Sequence, residues 1–361
     1  MKTAPFIKPK FNGTQMVMLD VVLALLPLVI IGCLAYGRLV MMQFITAITA
    51  ALITEFLFSV FLLKKYNTIL DGSALVSALL LVLTLSPLVP LHVVAFGAAA
   101  AILFGKILWG GLGKNTFNPA LVGREFMSVF FSSVMISSDI WKTKEFVKTT
   151  TDQLFPAMNH SVLSEYLSSI VYKTSGAVGE YSILFIVLGG FYLLIRSRIS
   201  WHIPFALLAV FTLLLWLPVG AHLHYSAAGI LLGTIFMATD MPSSPVTPNG
   251  KLYYGMMTGL IIFILIKGGV QFEYMSYSIL LLNAFSHQIS ILFRPSAWGD
   301  PTDWKQKIEP VFNLTIKISG AAFAVLSLSY YGLIPYAVFL YLLYLITKFN
   351  FSFSKKINNA I

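Results

Sequence analysis

Carboxylates set among apolar residues are the first groups in this chain with chemistry to offer. Asp20, Glu55, Asp71, Glu180 and Asp240 each stand within or beside an apolar run. A carboxylate at membrane depth is costly, and it is kept where it pairs, caps backbone amides or lines a path. Asp20 and Glu55 are candidates for a cation path, although an interfacial place near the basic N-terminus suits Asp20 nearly as well. Asp71-Gly72-Ser73 reads as a capped helix start, either closing a plain membrane helix or lining a ligand. Glu180 lies in SGAVGEYS (175–182), beside Gly176 and Gly179, where it caps exposed amides or holds a bound group. Asp240 follows an apolar run in MATDMPSSPVTPNG (237–250), where Ser243, Ser244 and Thr247 surround prolines at a hydroxyl density unusual for a rigid turn.

A second kind of chemistry sits in GGLGKNTFNPALVG (110–123), which collects Gly110, Gly111, Gly113, Asn115 and Asn118. Irregular backbone at membrane depth is tolerated only against protein or a cavity. Exposed amides here, with Lys114 and Arg124, could hold an anionic phosphate group as helix starts do. The plainer alternative is a cytoplasmic turn between two spans. His222 and His224, two residues apart, do not share a helical face, so no metal site is predicted. Cys33 is the single cysteine and lies inside the first apolar run, which excludes an internal disulfide and a cysteine-held cluster. No catalytic acid, base or nucleophile constellation emerges. KTTTDQL (148–154) is, by itself, a hydroxyl-rich loop segment.

These residues need a scaffold, and composition names its class. The chain has 361 residues, 58% hydrophobic and 11% charged, against about 25% charged in an ordinary soluble domain. Its apolar residues come in runs, and a run of about 20 crosses a bilayer as a helix. Spans are expected near 17–36, 40–63, 74–86, 91–109, 122–137, 182–196, 201–218, 223–239, 252–268, 276–293, 314–331 and 333–348, the third and fifth being short. The net charge of +10 is spread over short loops. That is a membrane-topology pattern and not the basic face of a nucleic-acid binder. With the N-terminus cytoplasmic, one side collects Lys2, Lys8, Lys10, Lys64, Lys65, Lys114, Arg124, Arg196, Arg198, Lys251, Arg294 and the C-terminal lysines. The other collects Arg38, Lys267 and the lysines of the long loop 138–181. Short basic loops stay inside, so a multi-pass protein of the cell inner membrane with both termini cytoplasmic is expected. The start through Lys10 is too polar for a cleavable signal peptide.

The predicted fold class is all-α: a polytopic membrane protein of about 10 core transmembrane helices in two pseudo-repeats, plus a C-terminal apolar pair. Residues 1–137 form the first helical repeat, 138–181 an outer loop, 182–293 the second repeat and 294–361 an extension with one or two further membrane helices. The repeat rests on paired Gly/Pro/Asp interruptions, which point to a midplane site at a repeat interface.

Taken in order, several segments resemble the family that holds the D subunit of Rnf electron-transport complexes and the B subunit of sodium-pumping NADH:quinone oxidoreductase. They are TQMVMLDVVLALLP (14–27), DGSALVSALLLVLTLSPLVPL (71–91), FGKILWGGLGKNTFNPALVGREF (104–126), GAVGEYSILFIVLGG (176–190) and FMATDMPSSPVTPNGKLYYG (236–255), with LLLNAFSH (280–287) as a weaker echo. The compact length favours the Rnf D subunit. The resemblance implies FMN joined through its phosphate to a threonine of the outer loop, with Thr151 the first choice and Thr150 the second. The attachment motif is degenerate: the family's Gly-Ala pair is missing and Asp152 stands where Pro is expected. It implies further flavin contacts at Gly110, Gly111, Gly113, Asn115, Asn118, Glu180, Asp240, Ser243 and Ser244, to this FMN or to a second flavin such as riboflavin. It also implies membership of an ion-translocating ferredoxin:NAD oxidoreductase, coupled to Na⁺ or H⁺. The implied partners are the A and E membrane subunits, the flavin-bearing G subunit, the iron–sulfur B and C subunits, and membrane lipids, without nucleic acid. The alternatives are a small-solute channel or transporter of related architecture, and a structural membrane subunit without covalent flavin.

Overall fold

The computed structural model describes residues 13–66, 68–141, 176–216, 223–295 and 304–358, with the side chains of 138, 304–307 and 352–358 left aside. Thr150 and Thr151 lie outside the described residues, as does His222. Within them the chain is helical, without strands. The helices are α1 (Gly13–Tyr36), α2 (Arg38–Phe58, continued by a π turn, Ser59–Leu63), α3 (Ser73–Leu83), α4 (Leu91–Gly105) and α5 (Pro119–Phe130). After 176 come α6 (Ile183–Ile195), α7 (His202–Leu215), α8 (Ala227–Leu232, continued by a π turn, Gly233–Met237), α9 (Pro248–Lys267) and α10 (Tyr274–Leu292). A hairpin of α11 (Trp304–Tyr330) and α12 (Ile334–Asn358) completes the described chain. Each expected span has its helix, and six of them are long and apolar enough to cross a bilayer. The protein is an all-α, multi-pass membrane protein.

Sequence explains the outer faces directly. Leu19, Leu23, Leu26, Ile30 and Leu34 recur at helical spacing along α1 and are all exposed, the stripe that faces lipid in a membrane helix. The helices meet through small residues, as membrane helices do. A Cβ on Gly123 of α5 would clash with the Gly97 carbonyl and stand 2.7 Å from Ala101 Cβ on α4. Gly255 and Gly259, four apart on α9, would meet the Ile203 and Leu207 carbonyls of α7 at 2.7 and 2.6 Å. Packing partners follow the same order in both parts of the chain. In the first, α1 meets α3, α2 lies along α4, and α4 meets α5; in the second, α6 meets α8, α7 lies along α9, and α9 meets α10.

Among the described residues α3, α5, α6, α7 and α8 are each shorter than a full span, as the short runs 74–86 and 122–137 predict for α3 and α5, and two of them, α3 and α8, end in breaks. The 11 residues of α3 rise about 16 Å at 1.5 Å each, roughly half of a 30 Å hydrocarbon core. Its broken end exposes carbonyls that must be satisfied within the protein. Gln43 of α2 donates to the Ser86 and Val89 carbonyls (3.1 and 2.9 Å). The Val178 amide donates to Leu85 O (2.9 Å), and Arg124 of α5 donates to Thr84 O. The second broken helix, α8 with its π turn, ends beneath Asn118, whose amide donates to Met237 O (3.4 Å). Side chains from both parts of the chain therefore close these breaks.

At the start of α3, the N-cap position belongs to Gly72, in the left-handed region at φ 78°, rather than to Asp71. The Asp71 carboxylate still accepts from Ser73 N (2.8 Å) and Ser73 Oγ (2.6 Å).

Candidate functional site

The interrupted helices enclose two cavities, at opposite ends of α3, α5 and α8. The larger, of about 630 Å³, is reached by Thr84 of α3, Leu121 and Arg124 of α5, and Gly229 and Gly233 of α8. The smaller, of about 300 Å³, is reached by Ser73 to Leu80 of α3, Asn118 and Pro119 of α5, and Phe236 and Asp240 beyond α8.

The larger cavity is built on one guanidinium. Arg124 Nε donates to Glu273 Oε2 (2.8 Å), and its Nη2 donates to Glu273 Oε1 (3.1 Å) and Phe272 O (3.2 Å). With Nη1 on Thr84 O, it ties α5 to both the broken end of α3 and the start of α10. Trp141 stacks on Phe272 with ring centres 4.9 Å apart and planes 9° from parallel. Glu180 ends a short 3-10 turn (Val178–Glu180) and accepts from Ser226 Oγ (2.6 Å). Ser226 also caps α8 through Gly229 N (3.1 Å), and its amide donates to the Tyr274 hydroxyl (3.0 Å). Lys267 reaches the cavity from the end of α9 and is exposed, with no ion-pair partner among the described residues.

The smaller cavity gathers Gly113, Asn115, Asn118 and Asp240. Asn118 caps α5, accepting from Ala120 N (3.0 Å) and Leu121 N (3.4 Å). Asn115 Oδ1 is buried with no hydrogen-bond partner. Ser243 Oγ donates to Asp240 Oδ2 (2.9 Å), and in the turn that holds it, burial pushes the Asp240 carboxyl up to about 6. Asn283 of α10 joins the two stretches: its amide nitrogen donates to Ser243 O (3.1 Å), and its oxygen accepts from Asn118 N (3.2 Å).

The residues singled out in sequence thus divide. Glu180 lines the larger cavity; Gly113, Asn115, Asn118 and Asp240 line the smaller one. Gly110 and Gly111 adopt φ 106° and 98°, which favours glycine; they shape the loop without lining either cavity. Ser243 and Ser244 are buried behind Asp240. Two expectations are corrected. Arg124 does not join Lys114 at the glycine loop, because its fork is spent on Glu273 and two carbonyls at the other cavity. Asp20 and Glu55 are not open steps on a cation path. Asp20 pairs with Arg196 (3.3 Å) and Arg198 (2.6 Å), and Glu55 with Lys106 (2.5 Å). Gln43, Glu125 and Glu273 escaped the sequence reading. A lone polar side chain inside an apolar run marks Gln43, and a charged pair inside one marks Glu125 with Arg124, because burial obliges them to find partners; Glu273, in the short stretch between two runs, gives no such signal.

Comparison with known proteins follows the same line. Residues 1–299 match the family described as NQR2, RnfD, RnfE. The chain is 34% identical over 308 residues to the D subunit of the proton-translocating ferredoxin:NAD(+) oxidoreductase complex of Clostridium ljungdahlii, covering 80% of this chain and 92% of that one. It is 33% identical over 306 residues to the D subunit of the Na(+)-translocating ferredoxin:NAD(+) oxidoreductase complex of Acetobacterium woodii (83% and 95%). It is 30% identical over 299 residues to the D subunit of the ion-translocating oxidoreductase complex of Methanosarcina acetivorans (82% and 95%). The chain belongs to the NQR2, RnfD, RnfE family.

Proposed function

We propose that the protein is the D-type membrane subunit of an ion-translocating, Rnf-type ferredoxin:NAD oxidoreductase, and that it carries FMN against the larger cavity. One observation carries the second half of this reading. Trp141 and Gly176, which flank the segment containing Thr150 and Thr151, both line that cavity. Eight residues lie between Trp141 and Thr150, and an extended chain covers about 3.3 Å per residue, so a threonine of this segment has ample reach.

The cavity's residues fit a flavin. Its volume lies within the usual range of about 300–1,000 Å³ for such sites. The Trp141–Phe272 pair offers a flat aromatic wall, Glu180 and Ser226 offer a polar edge, and Lys267 is placed to balance a phosphate. A bound flavin supplies one-electron transfer, while the protein supplies position and electrostatics. Arg124 and Gln43 keep the broken end of α3, and with it the cavity wall, in place. We further propose the smaller cavity, with its unpartnered Asn115 Oδ1, as the place of a second, noncovalent flavin such as riboflavin.

In this reading the larger cavity faces the outer side of the inner membrane, both termini are cytoplasmic, and the helices of 1–137 and 182–293 form two related halves. Electron transfer is coupled to Na⁺ or H⁺ movement alongside the A, B, C, E and G subunits. The test is in-gel flavin fluorescence of the denatured chain from its native host, beside Thr151→Ala and Thr150→Ala. A band abolished by Thr151→Ala establishes the carrier and its attachment; a band abolished only by Thr150→Ala moves it by one residue. No band in the unaltered chain overturns covalent FMN and leaves a noncovalent-flavin, structural or solute-transport role.

A further inference from the structure

Glu125, beside Arg124 on α5, is the one acid among the described residues with both carboxyl oxygens buried and neither hydrogen-bonded. It is 6% exposed. Its polar neighbours across the α5–α10 contact are Glu273 and Ser276. The other charged or titratable groups around this cluster are Tyr274 and Tyr277 on α10 and Glu180 before α6. Among the remaining elements against α5, α3 contributes the Thr84 carbonyl, α4 brings Gly97 and Ala101, and α12 brings Tyr341 against Phe126.

Charge counting is then direct. Arg124 brings one positive charge and is already in a two-pronged pair with Glu273. Ionised Glu125 would add a second carboxylate whose one neutral donor nearby is the Ser276 hydroxyl, with no cation left to pair it. An uncompensated buried charge costs several kcal/mol. One guanidinium beside two buried carboxylates leaves one negative charge to be neutralised. A metal cation is a poor substitute, because the guanidinium lodged beside both carboxylates repels it.

We propose that Glu125, with Glu273 and Arg124, forms a proton-binding site behind the wall of the larger cavity. One proton binds as an O–H bond on the Glu125 carboxyl and leaves by the same bond, with no change of oxidation state. Ser276 and Arg124, which both line the cavity, connect the site to it. The proposal goes beyond the function assigned above and does not depend on flavin.

The test uses the protein purified in its native complex at neutral pH. The infrared spectrum is expected to contain a carboxylic-acid carbonyl band that Glu125→Gln removes and Glu125→Asp shifts. Glu125→Gln should melt at the wild-type temperature, because the amide copies the neutral acid and leaves Arg124 paired. Glu273→Gln strands Arg124 and should melt lower. A band unchanged by both Glu125 substitutions overturns the proposal, and so does a Glu125→Gln protein that melts as low as Glu273→Gln. Should the glutamine variant not fold, the Glu125→Asp shift decides alone. Neither readout uses electron transfer, so failure of the proposed function is seen separately.

Discussion

Buried charge in this protein is balanced across helices far apart in sequence. Arg124 and Glu273 are 149 residues apart, and Asp20 and Arg198 are 178 apart. Lys106 joins Glu55 of α2 to Asp71 and Ser73 at the start of α3. Removing one partner of such a pair is expected to cost about 3–5 kcal/mol. Asp240 differs, since its nearest help is the Ser243 hydroxyl. Its folded value of about 6 lies above the ordinary 3.8, so the folded state favours the protonated acid. The associated stability is whole below about pH 4 and is lost as pH rises through 6. Asp240→Asn should therefore melt higher than wild type at pH 8, by on the order of 2 kcal/mol, and match it near pH 4. Equal melting of the two proteins at pH 8 would refute this.

At the scale of elements, the sequence disclosed the helices because a membrane span is written in one unbroken stretch. The run 17–36 announces α1 and the short run 74–86 announces α3, while α8, expected as a full span over 223–239, begins only at Ala227 and ends with its π turn at Met237. What the runs do not disclose is who closes the breaks. Gln43 serves Ser86 and Val89 from another helix, a pairing no local spacing encodes. The two-cavity division was hidden for a related reason. Asn118 and Arg124 sit six residues apart on α5, so they fall on different levels of one helix and serve different sites. Close helix approach is also testable here. Gly259→Ala forces a methyl into the Leu207 carbonyl, and overpacking of this kind costs about 1–3 kcal/mol. Gly320→Ala on α11 meets nothing within 4 Å and should melt like wild type. Thermal unfolding in detergent distinguishes the two, and similar melting of both would count against a tight α7–α9 contact.

For the whole molecule, the C-terminal hairpin is the part outside the family match, which ends at residue 299. It is fastened by one side chain in particular. Tyr341 receives a hydrogen bond from Trp109 Nε1 and donates one to Phe104 O, both 3.0 Å, while Lys348 Nζ lies 3.7 Å from the Trp109 ring centre. Among the described residues, none of the hairpin lines either cavity. A chain ending at residue 299 should therefore melt below the full chain yet retain the flavin the full chain carries, read by in-gel fluorescence and by flavin released on denaturation. Loss of flavin on truncation would mean that the hairpin shapes the sites through the 107–109 turn.

The placement of Trp141 and Gly176 on one cavity has a consequence for how such proteins can diverge. A segment whose two ends are moored at the same rim can grow or shrink without displacing any helix. Chain statistics make this inexpensive, since each doubling of a flexible loop adds only about 0.6 kcal/mol to its closure. Lineages can thus rewrite residues 142–175, including the run that holds Thr150 and Thr151, while the cavity walls stay fixed.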